Sequence, residues 1–265
     1  MEPRVTASSP ILSREDDDKV ATLTIRRSES RNALSLELMR TLHAALAEIS
    51  QDSGVKVVVL KSEGPTFCSG HDLKELMARR ERAALAEIFT TCSQLMVAIA
   101  RLRQPVIARV QGAATAAGCQ LVATCDLAIC ADDARFSTPG VNIGLFCSTP
   151  MVAVSRAVSR KAAMEMLLLG EMIDATRAYE IGLVNRVVPR AELGQAVTKM
   201  AKHIASKSGP VLAIGKDAFG RQIEYGLEDA YDYAARVMTD NMTLDDAREG
   251  ISAFLEKRQP VWCGE

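Results

Sequence analysis

From Lys19 to Arg27 the segment KVATLTIRR alternates apolar and polar positions, the period-two pattern of a strand with one face buried. After the turn RSESRNALS, apolar residues in LELMRTLHAALAEIS recur at helical spacing, with Ser35 placed as N-cap. VKVVVLKS (Val55–Ser62) is near-continuously apolar, as in a strand covered on both faces. EGPTFCSGHD reads as a loop and the stretch from Leu73 to Leu102 as largely helical. QPVIARVQG (Gln104–Gly112) and CDLAICAD are further strands, separated by a helix that begins within GAATAAG. MVAVSRAVSRKAAMEMLLLG predicts one helix that stops at Gly170, and LVNRVVP a short strand. From Thr198 the pattern is helical, broken at Ser208–Pro210 and at the terminal QPVWCG. Strands and helices in alternation over short links predict an α/β fold. The expected division is a loose polar tail over residues 1–17, a core over 18–197 and a helical region over 198–265.

Composition narrows the function. With 48% hydrophobic and 25% charged residues and a net charge of −1, the 265-residue chain has no electrostatic footprint for nucleic acid or an acidic membrane. No apolar run stands out as a membrane span. Three histidines and seven cysteines without a CxxC pair argue against a metal site, and the odd cysteine count points to reduced thiols. MEPRVTASSPILSREDDDK has neither a secretory apolar region nor an Arg-rich, acid-poor helix, so it encodes no address.

The stretch QGAATAAGCQLVATCDLAIC (Gln111–Cys130) places tiny side chains where a helix begins. Small residues there permit close approach to the backbone, either by another segment of the chain or by a ligand. A helix N-terminus with free N–H groups stabilises developing negative charge on a ligand oxygen.

Taken together, the TFCSGHDLKEL loop, the block QPVIARVQGAATAAGCQLVATCDLAICADDARFSTPGVNIGL and AYEIGLVNRVVP resemble the enoyl-CoA hydratase/isomerase (crotonase) superfamily, over a span from Val20 to the C-terminal AFLEKRQP. The resemblance implies a crotonase (ClpP-like) ββα spiral core with a C-terminal helical trimerisation region. It implies a coenzyme A thioester as ligand or substrate, with no covalently bound cofactor. The thioester oxygen would face the N–H groups of His71 and Ala117. The loop residues His71, Asp72, Leu73 and Lys74 would border the pantetheine and adenine end, with Arg31 in a neighbouring turn. The same resemblance implies a homotrimer, alone or paired into a hexamer, and a mitochondrial location. The helices after Thr198 carry apolar positions such as Ala230, Ala234, Val237 and Met238 that suit such an interface, unless they fold back on their own core.

The chain departs from the family at its acid and base. Hydratases of the family place one glutamate three residues after the helix-start N–H, where this chain has Gln120, and another where it has Gly140. A third carboxylate station, used by some branches, is Ser148. A general acid or base contributes about 10²–10⁴ in rate, so their loss predicts poor hydration of enoyl-CoA. Gln120→Glu with Gly140→Glu is expected to restore activity if the side chain fits beside Phe146 and Cys147. Asp126, Asp132 and Asp133 are expected at a strand end and a turn.

Two classes of function follow. One is an acyl-CoA-binding protein of fatty-acid or lipid metabolism without efficient hydratase activity. The other is an enzyme of different thioester chemistry on the same oxyanion site, a decarboxylase or thioesterase. His71 fits the methylmalonyl-CoA decarboxylase branch, whereas Cys147 stands where that branch has a tyrosine. The His71 imidazole is expected to face solvent. Cys147 and Ser148 are pocket-lining candidates with no evident base to activate them.

Overall fold

The computed structural model describes residues 10–264. Strands β1 (Leu12–Asp17), β2 (Val20–Ile25), β3 (Val57–Ser62), β4 (Val106–Val110), β6 (Leu127–Ala131) and β9 (Arg186–Val188) form a sheet in the order β1-β2-β3-β4-β6-β9. A smaller sheet joins β5 (Ala113–Thr115), β7 (Arg135–Ser137) and β8 (Ile173–Asp174). The first helices are α1 (Leu36–Gln51), α2 (Leu73–Ala78), α3 (Arg82–Arg101), α4 (Ala117–Thr124) and α5 (Ser148–Ala157). Two strands then a helix recur along the chain, as β1–β2–α1, β4–β5–α4 and β6–β7–α5. In the later turns the first strand enters the large sheet and the second the small one, which is the expected ββα spiral.

All pairings in the large sheet are parallel except the β1–β2 hairpin. That hairpin corrects the expected loose tail over residues 1–17, whose first nine residues lie outside the described ones. Asp18 and Lys19, both with positive φ, close it in the manner of a two-residue primed turn. Its Arg14, Glu15, Asp16 and Asp17 are accommodated because β1 is an edge strand, and an edge tolerates charge where a central strand does not.

Strand alternation divides the core. Ala21, Leu23, Ile25, Val58 and Leu60 face α1, α3 and α4. Val20, Val57, Val59, Ile107 and Ile129 face the opposite way and are covered by Leu193, Val197, Ala201 and Ala205 of α8 (Leu193–Ala205). The expected boundary at residue 198 therefore falls inside a helix that packs on the sheet. The helical appendage starts later, with α9 (Gly209–Gln222), α10 (Leu227–Met242) and α11 (Asp245–Leu255). The single helix expected up to Gly170 is two, α5 and α6 (Arg160–Leu169), because Val158 is extended and Ser159 caps the second. Gly170, at φ 62°, ends α6. The last helix of the core, α7, spans Ala175–Glu180.

Helix α3 is long and apolar enough, by length and composition, to cross a bilayer, contrary to the sequence expectation. Its Ile88, Cys92, Leu95, Met96 and Ile99 form a buried stripe on the core, alternating with exposed Glu87, Thr90 and Ser93.

A partly buried lysine is one of the polar groups that tie the appendage to the core. Lys216 of α9 donates from Nζ to Asp126 Oδ2 at 2.6 Å and to the carbonyls of Ile99 and Gln104 at 3.1 Å each. Asp126 also accepts from the Val106 N–H at 2.7 Å. It is thus the strand-end residue the sequence suggested, and burial pushes its carboxyl up against the pull of Lys216. Removing one partner of such a pair leaves an uncompensated charge. Lys216→Met is expected to lower unfolding stability by about 3 kcal/mol. Asp126→Asn in the same chain should recover part of the loss, measured by denaturant unfolding.

Candidate functional site

The site is assembled where the loop after β3 meets the junction of β5 and α4. The Phe67 and Cys68 N–H groups donate to Ala113 O at 2.9 and 3.2 Å, and Thr115 N–H donates back to Cys68 O at 2.9 Å. The Thr115 hydroxyl donates to Ser69 O at 3.0 Å. This contact requires missing side chains. A Cβ on Gly112 would stand 1.8 Å from Pro65 O, and one on Gly118 would stand 2.1 Å from Cys68 O. Two of the small residues in Gln111–Cys130 therefore serve approach by the chain itself.

The other small residues shape the start of α4. Ala116 adopts φ 50° and ψ −119°, a conformation a non-glycine residue enters at about 1–3 kcal/mol. It is held there by its N–H to Ser137 O at 2.9 Å and by its carbonyl, which accepts from Gln120 N–H at 3.0 Å. Among the described residues, neither the Ala117 N–H nor the His71 N–H has an acceptor in the chain. The two lie on adjoining backbone, since a Cβ on Gly70 would stand 3.3 Å from Ala117 N.

The turn carrying Arg31 braces the loop. Arg31 O accepts from Ser69 N–H at 3.1 Å, Gly70 O from Leu34 N–H at 2.8 Å and Leu34 O from Asp72 N–H at 3.1 Å. The Arg31 side chain is exposed. Asp72 caps α2 by accepting from the Lys74 and Glu75 N–H groups and pairs with Arg27 at 3.2 Å. Leu73 and Lys74 are exposed on the first turn of α2. Sequence reasoning missed Asn32, which is fully buried with φ 53° and donates from Nδ2 to Glu63 O at 2.8 Å and Thr66 O at 2.7 Å. An asparagine in a polar turn, tolerant of positive φ, was its only signal.

His71 corrects an expectation. Its ring packs edge-on against Phe89, with centroids 5.2 Å apart, and its Nε2 is buried without a partner. Burial pulls its pKa down to about 4, so the imidazole is neutral near pH 7.

Gln120 is 3% exposed, and its Oε1 accepts weakly from the Cys92 thiol at 3.9 Å. Gly140 is buried beneath the segment that leads into α5. A Cβ there would stand 2.4 Å from Leu145 O and 2.9 Å from Cys147 Sγ. The expected rescue through Gly140→Glu therefore fails on space, because the backbone fills the place where the side chain would start. Cys147 is buried and its thiol is pushed up by that burial, which keeps it protonated and a poor nucleophile. Ser148 begins α5, exposed, with its hydroxyl near only its own turn, 3.4 Å from Phe146 O.

The match to known proteins spans nearly all of this chain. The family model for enoyl-CoA hydratase/isomerase matches residues 15–265. The chain belongs to the enoyl-CoA hydratase/isomerase family. It is 46% identical to human enoyl-CoA hydratase domain-containing protein 3, mitochondrial, over 264 residues, covering 100% of this chain and 85% of the relative. The rat protein of the same name is also 46% identical, over 98% of this chain and 85% of its own length. The crystal structure of human enoyl-CoA hydratase domain-containing protein 3 superposes with a TM-score of 0.93 at 47% identity, over 96% of this chain and 100% of that one. An enoyl-CoA hydratase structure from Mycobacterium smegmatis gives 0.94 at 49% identity, over 96% and 99%. The crotonase fold expected from the motifs is thereby established.

The buried His71 gives a pH signature. Its folded-state pKa, about 4, lies below the ordinary 6.5, so the unfolded chain binds the proton more readily. Its contribution is full above about pH 6.5 and is lost as pH falls toward 4, by about 3 kcal/mol in all. His71→Asn should flatten the fall in unfolding free energy between pH 6.5 and 4 relative to the parent. Equal slopes in the two proteins would show that the imidazole is solvated.

Proposed function

We propose that the protein binds acyl-CoA thioesters in lipid metabolism through the His71 and Ala117 N–H groups, and that it hydrates enoyl-CoA poorly. The observation that carries this is the pairing of two adjoining N–H donors without acceptors and acid–base stations without carboxylates. Two fixed donors suit an oxygen that gathers negative charge. Gln120 holds a water by hydrogen bonds but cannot take its proton, and Gly140 supplies nothing to protonate carbon. Arg31, Asp72, Leu73 and Lys74 lie around the same loop and are assigned to the CoA side, with Cys147 on the acyl side. The mitochondrial designation of the vertebrate relatives supports the same compartment for this chain.

Calorimetric titration with acetyl-, crotonyl- and octanoyl-CoA should show saturable binding, while crotonyl-CoA turnover stays far below the about 10²–10³ per second of efficient enzymes. Gln120→Glu with Gly140→Glu should not raise turnover, since the second substitution collides with Leu145 O. Rapid hydration by the parent would show that the acid and base lie elsewhere. No binding heat with any of the three thioesters would reject the site itself.

A second reading is a decarboxylase or thioesterase, favoured by the neutral, inward-turned His71 imidazole with its unpartnered Nε2. Decarboxylation needs an enolate sink and a desolvated carboxylate rather than a base. Mass spectrometry of products from a panel of CoA thioesters, malonyl-type acids included, separates the two readings.

We also infer a homotrimer, with pairing to a hexamer open. Helices α9 and α10 pack on each other yet contain no buried residue, and Phe219, Ile223, Leu227, Tyr231 and Met238 stand exposed on them. Folding back on the core, the alternative for these helices, leaves that surface in water. Light scattering at micromolar concentration should give three or six times the chain mass, and a monomer mass would reject the assembly.

A further inference from the structure

The face of the large sheet that turns toward α8 changes character along the strands. Near the strand starts it is apolar and covered by the helix. Near the strand ends it is polar and opens into a cavity of about 350 Å³, lined among others by Ser13, Thr24, Lys61, Arg109, Arg190 and Leu193. Register places these groups side by side. Ser13 pairs with Thr24 across β1–β2, Thr24 with Lys61 across β2–β3, and Arg109 lies one residue beyond the Leu60–Ala108 pair of β3–β4. Two hydroxyls, an ammonium and a guanidinium thus form one row on one face.

Three features of this row are unfavourable in the protein alone. Lys61 and Arg109 are like charges on neighbouring strands, which destabilises a sheet. Among the described residues, neither makes an ion pair or a side-chain hydrogen bond, although both are only partly exposed. Thr24 is 4% exposed, and its Oγ1 is buried with no partner. Arg109 also lies on the first turn of α8, where a Cβ on Gly194 would stand 3.5 Å from its guanidinium. That is the positive end of the helix, which repels a cation and attracts an anion. Arg190 and Arg26 at the rim are already paired, with Asp133 and Glu63 at 2.7 and 2.9 Å. Glu15 is the cavity's remaining carboxylate, so the two free cations with the helix end still outweigh it.

We propose that this cavity is an anion site that takes a soluble phosphomonoester. A phosphate oxygen array matches a guanidinium fork, accepts from an ammonium and a hydroxyl, and separates Lys61 from Arg109. The cavity volume admits more than a bare phosphate, so part of an attached small molecule enters with it. The site lies on the sheet face opposite α1, α3 and α4, and the inference is independent of any thioester bound at His71 and Ala117.

The test is thermal unfolding of the full chain with inorganic phosphate or glucose 6-phosphate, at ionic strength held constant with chloride. A saturable rise in Tm at millimolar phosphate is expected. Arg109→Gln and Lys61→Gln should each weaken the apparent affinity at least about tenfold, in line with the loss of one charge-assisted contact. Thr24→Val removes the orphan hydroxyl. It should weaken phosphate binding while melting no lower than the parent in phosphate-free buffer. Circular dichroism confirms that each variant is folded. A shift that chloride reproduces, or one unchanged in all three variants, overturns the proposal. So does citrate binding as well as phosphate, which would mark a general cationic patch.

Discussion

The contact on which the site depends is the backbone ladder between Phe67–Cys68 and Ala113–Thr115. It links the end of one spiral turn to the middle of the next, and it forms at a distance that no side chain on Gly112 or Gly118 would permit. Once the loop is pinned there, Gly70 and Ala117 are adjoining, and the N–H groups of His71 and Ala117 are left over. The cost sits at Ala116, forced to positive φ so that the chain turns from β5 into α4 with its first N–H outward. The neighbouring Asn32 and Arg27–Asp72 contacts hold the other side of the loop. Donor geometry here is a backbone property, so it persists whatever side chains occupy the acid and base stations.

On the assignment proposed above, the two acid–base stations differ in how they are packed. At Gln120 the change is conservative in shape, since the amide sits buried in a position a carboxylate would also fill. At Gly140 it is not, because Leu145 O and Cys147 Sγ occupy the space above the glycine. A missing carboxylate that leaves a hole is restored by one substitution. A missing carboxylate whose place the main chain has taken requires the segment from Pro139 to Ser148 to move.

The spiral core was legible in the sequence because its strands and helices are long enough to show periodicity. Val20–Ile25 alternates cleanly, Ser35 and Gly170 mark helix ends, and the ordered motifs identify the family. Three kinds of feature were not legible. Strands of two or three residues, β5, β7 and β8, are too short to carry a period. The edge strand β1 is paired through its backbone, so its charged side chains look like those of a tail. Burial that depends on distant segments has no local signal, as with His71 against Phe89, the filled space above Gly140 and the docking of α8 on the sheet. The candidate residues came as a set from the family resemblance, and the structure brings the backbones of Gly70 and Ala117 together. What surrounds each of them is a tertiary fact.

The two faces of the large sheet carry different constraints for one physical reason. The face toward α1, α3 and α4 is apolar through Ile25 and Leu60, so the strand ends there can only support the loop that builds the site. The other face is covered only as far as α8 reaches. Helix α8 runs against the strands, with Lys202 at Asp17 and the following Lys207 at Lys56, and with Gly194 at Arg109, so its positive end arrives where the apolar cover stops. A sheet that ended there for packing alone would use hydroxyls or paired charges. This one places Lys61 beside Arg109, neither of them in an ion pair among the described residues, where the helix adds more positive potential and Glu15 alone is left to offset it. Field and row reinforce each other, and an arrangement unfavourable on its own becomes favourable when an anion is added.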